Sequence, residues 1–232
     1  MNRKVLLLVL LAASLFTGMA RASEFIVCID PGHPSETSNG ASAHGLSENT
    51  LNWQVAQRLA ARLKARGVKY VMTKSSLHQN VTNRRRAEIA NGDNIYKQPC
   101  AIFIRLHCDV GSGRGYTWYY PSQPARKGNT VGPPSAVCAA SKKATYAINA
   151  GMKSILNGHL KNNPVKTDKS TFVGSKQGAL TGSIYSRVPT ALIEMCFINQ
   201  QHDAKFIDSA KGRDLMAHAL ENGILVWKNA RK

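Results

Sequence analysis

The chain has 232 residues, 43% hydrophobic and 19% charged, with a net charge of +18. That balance suits one globular domain with a sizeable core and shows no second domain, repeat or low-complexity tail. The basic residues are scattered (Arg62, Lys64, Arg66, Lys69; Arg84 to Arg86; Lys166, Lys169, Lys176) rather than gathered in a nucleic-acid motif, so the reading is no nucleic acid.

The first 22 residues read as a secretory signal peptide. Asn2-Arg3-Lys4 is a short basic start, Val5 to Phe16 is too short to span a bilayer, and Ala20-Arg21-Ala22 is a small-x-small cleavage site. Removing Arg3, Lys4 and Arg21 takes the mature chain, residues 23–232, from +18 to +15. It has no further long apolar run, so it is expected to be exported and not an integral membrane protein. The periplasm is the expected compartment, where the cell wall and anionic lipid are the polyanions at hand. All five cysteines (Cys28, Cys100, Cys108, Cys138, Cys196) fall in the mature part. Most read as core residues, with at most two disulfides.

Phe25 to Ile29 is an apolar strand, ended by Pro31 and Gly32. A loop rich in Ser, Gly, Asn and Ala runs to Gly45. Ser47 is placed to cap a helix to about Arg66, with Leu51, Val55, Leu59 and Leu63 as its apolar stripe. Val68 to Thr73 alternates like a short strand, and Thr82 or Asn83 caps a helix to about Asn91. Strands follow at 101–106 and 116–120, a loop at 121–134, an Ala-rich helix at 135–160, and a long loop at 161–183. Thr190 to Met195 is a strand, and Lys211 to Lys228 a closing helix with Leu215, Ala219 and Leu225 inward. Alternating strands and helices predict an α/β single domain. It has a mostly parallel twisted sheet, helices on both faces, and an active site at the carboxyl ends of the strands.

Those strand ends carry the chemistry. His33 follows the first strand, His107 follows strand 101–106, and Glu194 stands at the end of the strand begun by Thr190. Glu48 joins them from the first turn of the first helix. Two imidazoles and a carboxylate are the ligand set of a catalytic Zn2+ with one position open to water. That leaves Glu194 to act on the water, because a carboxylate in an apolar strand is costly unless it is paired or near a metal. His44, near Glu48, is a decoy ligand in a glycine-flanked loop.

Asp30-Pro31-Gly32-His33, the Glu soon after it, a strand ending in His and a late strand ending in Glu resemble the zinc-dependent N-acetylmuramoyl-L-alanine amidases, the type 3 cell-wall hydrolases. The resemblance covers about Phe25 to Trp227. It implies that His33, Glu48 and His107 bind Zn2+ and that Glu194 is catalytic. The substrate implied is peptidoglycan, cut between N-acetylmuramic acid and L-alanine. Arg85 and Ala90-Asn91 fall where the family has an Arg and an Ala-Asn. Pro34 departs from the pattern, as do Arg105 before His107 and Asp109 shortly after it. Asp30 and Asp109 are expected to orient the ligand imidazoles or to cap turns. A zinc peptidase cutting within the stem peptide and a non-catalytic wall-binding module are the alternatives. An activator protein is among the partners considered, and the chain is expected to act as a monomer.

Overall fold

In the computed structural model, which describes residues 24–231, the apolar run after the expected leader forms β1 (Ile26–Pro31), buried along its whole length. The expected leader, residues 1–22, lies outside the described residues. A small hairpin of β2 (Ser42–Ala43) and β3 (Leu46–Ser47) leads into α1 (Glu48–Ala65). Leu51, Val55, Leu59 and Leu63 are all buried, so the four-residue stripe is the face that α1 lays on the sheet. Ser47 holds the N-cap position but its hydroxyl makes no cap bond. After β4 (Lys69–Met72), α2 (Asn83–Ala90) starts on Thr82, whose Oγ1 accepts from the Arg85 backbone N–H at 3.1 Å.

Next come β5 (Ile102–Asp109) and β6 (Thr117–Tyr120). The expected loop at 121–134 contains a hairpin of β7 (Ala125–Lys127) and β8 (Thr130–Gly132). Then α3 (Ser135–Leu156) ends before the long loop. That loop is structured: it holds β9 (Lys166–Thr167), α4 (Phe172–Gln177) and α5 (Thr181–Tyr185). Helices this short lack a readable apolar period, which is why the sequence shows only a loop. The chain closes with β10 (Thr190–Phe197), α6 (Gln201–Asp208), which the sequence reading missed, and α7 (Ala210–Ala230). In α7, Met216, Leu220 and Ile224 are buried with Ala219, whereas Leu215 and Leu225 are only partly covered.

The sheet order is β4-β1-β5-β10-β6-β9. The β4, β1, β5 and β10 pairings are parallel, and β6 runs antiparallel to β10. One face packs under α1, α3 and α7, and α2 and α5 cover the other. Strand alternation sorts residues between the faces. Val27, Ile29, Ile104 and Leu106 join the larger core, and Ile26, Cys28 and Phe103 join the smaller one. By the same alternation Asp30, Arg105, His107, Asp109 and Glu194 fall on the α2 side. β5 does not stop at Leu106, because its pairing with β10 continues through Glu194 opposite His107 and Phe197 opposite Asp109. His107 therefore projects from within a strand, not from the loop after one. The register shifts between Glu194 and Phe197, a bulge that lets Met195 and Cys196 both reach the large core. All five cysteines are buried and free. Among the described residues, no helix is long and apolar enough to cross a membrane.

Candidate active site

The three expected ligands converge. His33 Nε2 and His107 Nδ1 lie 3.2 and 3.0 Å from Glu48 Oε1, and one donor atom from each residue falls within 4.8 Å of the others. The two imidazoles stand edge-to-face, with ring centroids 4.9 Å apart. Burial pushes the His107 imidazole down to about 4 against the pull of Glu48, so the ring is neutral at pH 7 and has a lone pair to offer. Burial alone would raise the Glu48 pKa. Hydrogen bonds from His107 and His33 outweigh it and hold the carboxyl well below its usual range. A carboxylate and two imidazoles at this spacing fit a divalent metal of the Zn2+ kind.

The backbone around each group explains its position. Glu48, 4% exposed, takes the Ala41 N–H on Oε2 at 2.8 Å and the Cys108 N–H on Oε1 at 3.2 Å. Asn52, one turn along α1, adds its Nδ2 to Glu48 Oε1 at 3.4 Å and to the Gly32 carbonyl at 3.3 Å. Gly32 is needed for space: a Cβ there would lie 2.4 Å from His107 Cε1. His33 sits at a φ of 62°, a conformation costly for a residue other than glycine unless its surroundings hold it. Lys74 Nζ donates to the His33 carbonyl and to Asn49 Oδ1 at 2.7 Å. Arg86 Nη2 donates to the Pro34 carbonyl at 2.7 Å, and the second ring nitrogen of His33 faces the Ser38 carbonyl at 3.2 Å.

Asp30 and Asp109 do not orient the imidazoles. Asp30 is taken by Arg86 Nη1 at 2.5 Å, Arg105 Nε at 3.1 Å and Thr73 Oγ1 at 2.5 Å. Asp109 Oδ1 accepts from the next backbone N–H, of Val110, at 2.7 Å. The adjacent Arg85, which the resemblance pointed to, lies at the surface and pairs with Asp93 and Glu88. Arg86 is the buried one, 1% exposed, and collects the Val81, Pro31 and Pro34 carbonyls together with Asp30. Three consecutive arginines on a short helix cannot be told apart until the helix is docked. Asp30 opposite Arg105 was a readable signal, because opposite charges in neighbouring apolar strands need each other. His44 Nε2 meets the Asn199 carbonyl at 3.1 Å and is no part of the cluster.

Glu194 lines the same cleft, a cavity of about 520 Å³, with His33, His107, Asp109 and Arg105. Its Oε2 is sealed from solvent and has no hydrogen-bond partner among the described residues. Burial, then the charges of Glu48 and Asp109, push its carboxyl well above the usual range. A raised, unpartnered carboxyl beside a candidate metal site is suited to carrying a proton.

Residues 27–226 match the profile of the N-acetylmuramoyl-L-alanine amidase family. The chain belongs to that family. Among its relatives, N-acetylmuramoyl-L-alanine amidase Rv3717 of Mycobacterium tuberculosis is 25% identical over 231 residues, covering 88% of this chain and 87% of the relative. The amidase LytC of Bacillus subtilis is 27% identical over 209 residues, 87% of this chain but only 35% of LytC. The fold matches amidase Ami1 from Mycobacterium smegmatis with a TM-score of 0.70 at 20% identity, covering 89% of this chain and 97% of Ami1. It matches AmiC2 of Nostoc punctiforme with a TM-score of 0.68 at 20% identity, covering 90% and 99%. The single α/β domain with its mostly parallel sheet is thus the fold of known amidases.

Proposed function

We propose that this chain hydrolyses the amide bond joining N-acetylmuramic acid to the L-alanine of the peptidoglycan stem peptide. The reading is carried by the convergence of His33, Glu48 and His107 beside Glu194, whose Oε2 is sealed from solvent without a partner among the described residues, in a chain of the amidase family. His33 Nε2, Glu48 Oε1 and His107 Nδ1 are the atoms that would hold Zn2+. When bound, the ion lowers the pKa of water toward about 7 and polarises the scissile carbonyl. Glu194 takes the proton of the attacking water and returns it to the leaving L-alanine nitrogen. Burial and the neighbouring charges of Glu48 and Asp109 raise its pKa, which favours the carboxyl that holds the proton between the two halves of that transfer. Asn52, Arg86 and Lys74 hold the ligand-bearing backbone still, which keeps the reacting groups in register.

The leader pattern at 1–22 supports action outside the cytoplasm, in the periplasm, where peptidoglycan is reached. One structural relative, the CwlD amidase from Clostridioides difficile, was solved in complex with the GerS lipoprotein. A protein activator is accordingly among the partners proposed here.

Product analysis tests the reading. Zinc-loaded protein spanning residues 23–232, given a defined muropeptide, should release stem peptide with a free L-alanine amine in the mass spectrum. Glu194→Ala protein and chelated protein should release none. Fragments cut inside the stem peptide would replace the amidase reading with that of a zinc peptidase.

A further inference from the structure

Exposed large apolar side chains are normally scattered singly, so two neighbours at the mouth of a cleft require an explanation. Phe172 is 76% exposed and Val173 42%. Both line the same cleft as His33, His107 and Glu194. They sit on α4, which is fixed in place. Thr171 Oγ1 accepts from the Gly174 N–H at 2.9 Å and donates to the Asp168 carbonyl at 2.7 Å. The Asp168 side chain, buried, takes the Leu180 N–H at 3.0 Å and so ties the two ends of the segment together. Gly174 packs so closely that a Cβ there would fall 1.8 Å from the Asp168 carbonyl oxygen. Lys176 places its Nζ 3.8 Å from the Phe172 ring centroid and, among the described residues, forms no ion pair. Its neighbour Gln177 turns inward, to the Ala179 carbonyl and Thr181 Oγ1, both at 2.9 Å.

A rigid rim that offers an aromatic ring and a free ammonium together is preorganised for a ligand with an alkyl part and an anionic part. We infer that Phe172 and Lys176 form a subsite for a carboxylate-bearing residue of the stem peptide, the ring packing on its alkyl chain and the ammonium pairing with its carboxylate. The inference rests on the amidase reading for the identity of the substrate. The glycan is the poorer match, because the lactyl carboxyl of each substituted muramic acid is consumed in the scissile amide. Stem peptides keep free carboxylates.

The test uses two muropeptides, one with its stem carboxylates free and one with them converted to amides. Wild-type protein should prefer the free acid by about two- to fivefold in KM, the worth of an exposed ion pair. Lys176→Met should erase that preference, and Lys176→Arg should keep it. Phe172→Ala should raise KM about three- to tenfold with kcat unchanged. Wild-type protein without the preference, Lys176→Met protein that retains it, or Phe172→Ala protein with wild-type KM would each overturn the subsite. Calorimetric binding of the corresponding stem peptides to Glu194→Ala protein makes the same comparison without turnover. Failure to cut the amide bond would thus count against the amidase reading alone, and equal affinity for acid and amide against the subsite.

Discussion

The two faces of the central sheet are built from the same strands and are held by different physics. Under α1, α3 and α7, Val27, Ile29, Ile104, Leu106 and Ile193 bury apolar surface against apolar surface. On the other face, Cys28 and Phe103 give way toward the strand ends to Asp30, Arg105, His107 and Glu194. There Asp30, Arg105 and His107 each depend on a particular partner, whereas Glu194 Oε2 has none among the described residues. The contrast teaches that damage to the first face should cost stability alone. Damage to the second should cost function, and stability only where a buried charge loses its partner.

Glu194 should show the largest effect. Glu194→Ala should lower kcat roughly 10²–10⁴-fold, as loss of a proton carrier does. Its melting temperature should hold or rise, because a half-buried carboxyl whose sealed Oε2 has no partner among the described residues is removed. Steady-state kinetics and calorimetric melting check both halves.

Next is Arg86→Met, which strips Asp30 of one of its two guanidinium partners and should cost about 3–5 kcal/mol in denaturant melts. Ile148→Ala, in α3 on the apolar face, should cost about 2–5 kcal/mol yet leave zinc affinity and KM alone. A drop in zinc affinity with Ile148→Ala would break the comparison between the faces. Gly32→Ala should follow. The new Cβ displaces the His107 ring, and zinc affinity measured by competition with a chelator should fall roughly 10–100-fold.

Two pH effects are smaller. Burial would raise the Asp30 pKa, but Arg86 and Arg105 overcome it and hold the carboxyl below its usual range. A carboxylate with a lower pKa folded than unfolded contributes stability that is present above the unfolded value, about 3.9. That contribution is lost as pH falls through the folded value. Stability should therefore decline on acidification below about pH 4, and Asp30→Asn should flatten that decline in a series of melts. A wild-type curve already flat there would contradict the pairing. Smallest of all, Asp109→Asn removes one of the charges that raise Glu194, after burial and Glu48. The acid limb of the kcat/KM profile should move to lower pH, by less than about one unit. A shift to higher pH would sink that assignment.

Most of the element order, and the convergence of His33, Glu48 and His107 beside Glu194, were legible: His33, His107 and Glu194 from strands whose apolar runs meet polar residues, and Glu48 from the first turn of the helix after the first loop. What supports them was less legible. His107 looked like a residue after a strand because the apolar run stops at Leu106, but backbone pairing with β10 carries β5 on to Asp109. Polarity marks a change of environment, not the end of a ladder. The sequence offers Asp30 as a group that orients an imidazole or caps a turn, whereas the buried guanidinium groups of Arg86 and Arg105 claim it. The choice of Arg86 over Arg85 depends on how α2 docks, which no local pattern in three successive arginines encodes. Asn52 could have been found, since it lies four residues from Glu48 on one helix face. The short helices α4 and α5 could not, because their order comes from Asp168 and Thr171 binding backbone groups, not from an apolar period.

The measurement that bears most directly on the polar face as a metal centre is zinc titration of chelator-stripped protein spanning residues 23–232. The account predicts one tightly held Zn2+ per chain, lost when His33, Glu48 or His107 is replaced by alanine and unaffected by His44→Ala. Tight zinc retained in all three ligand variants, or lost with His44→Ala, would contradict it.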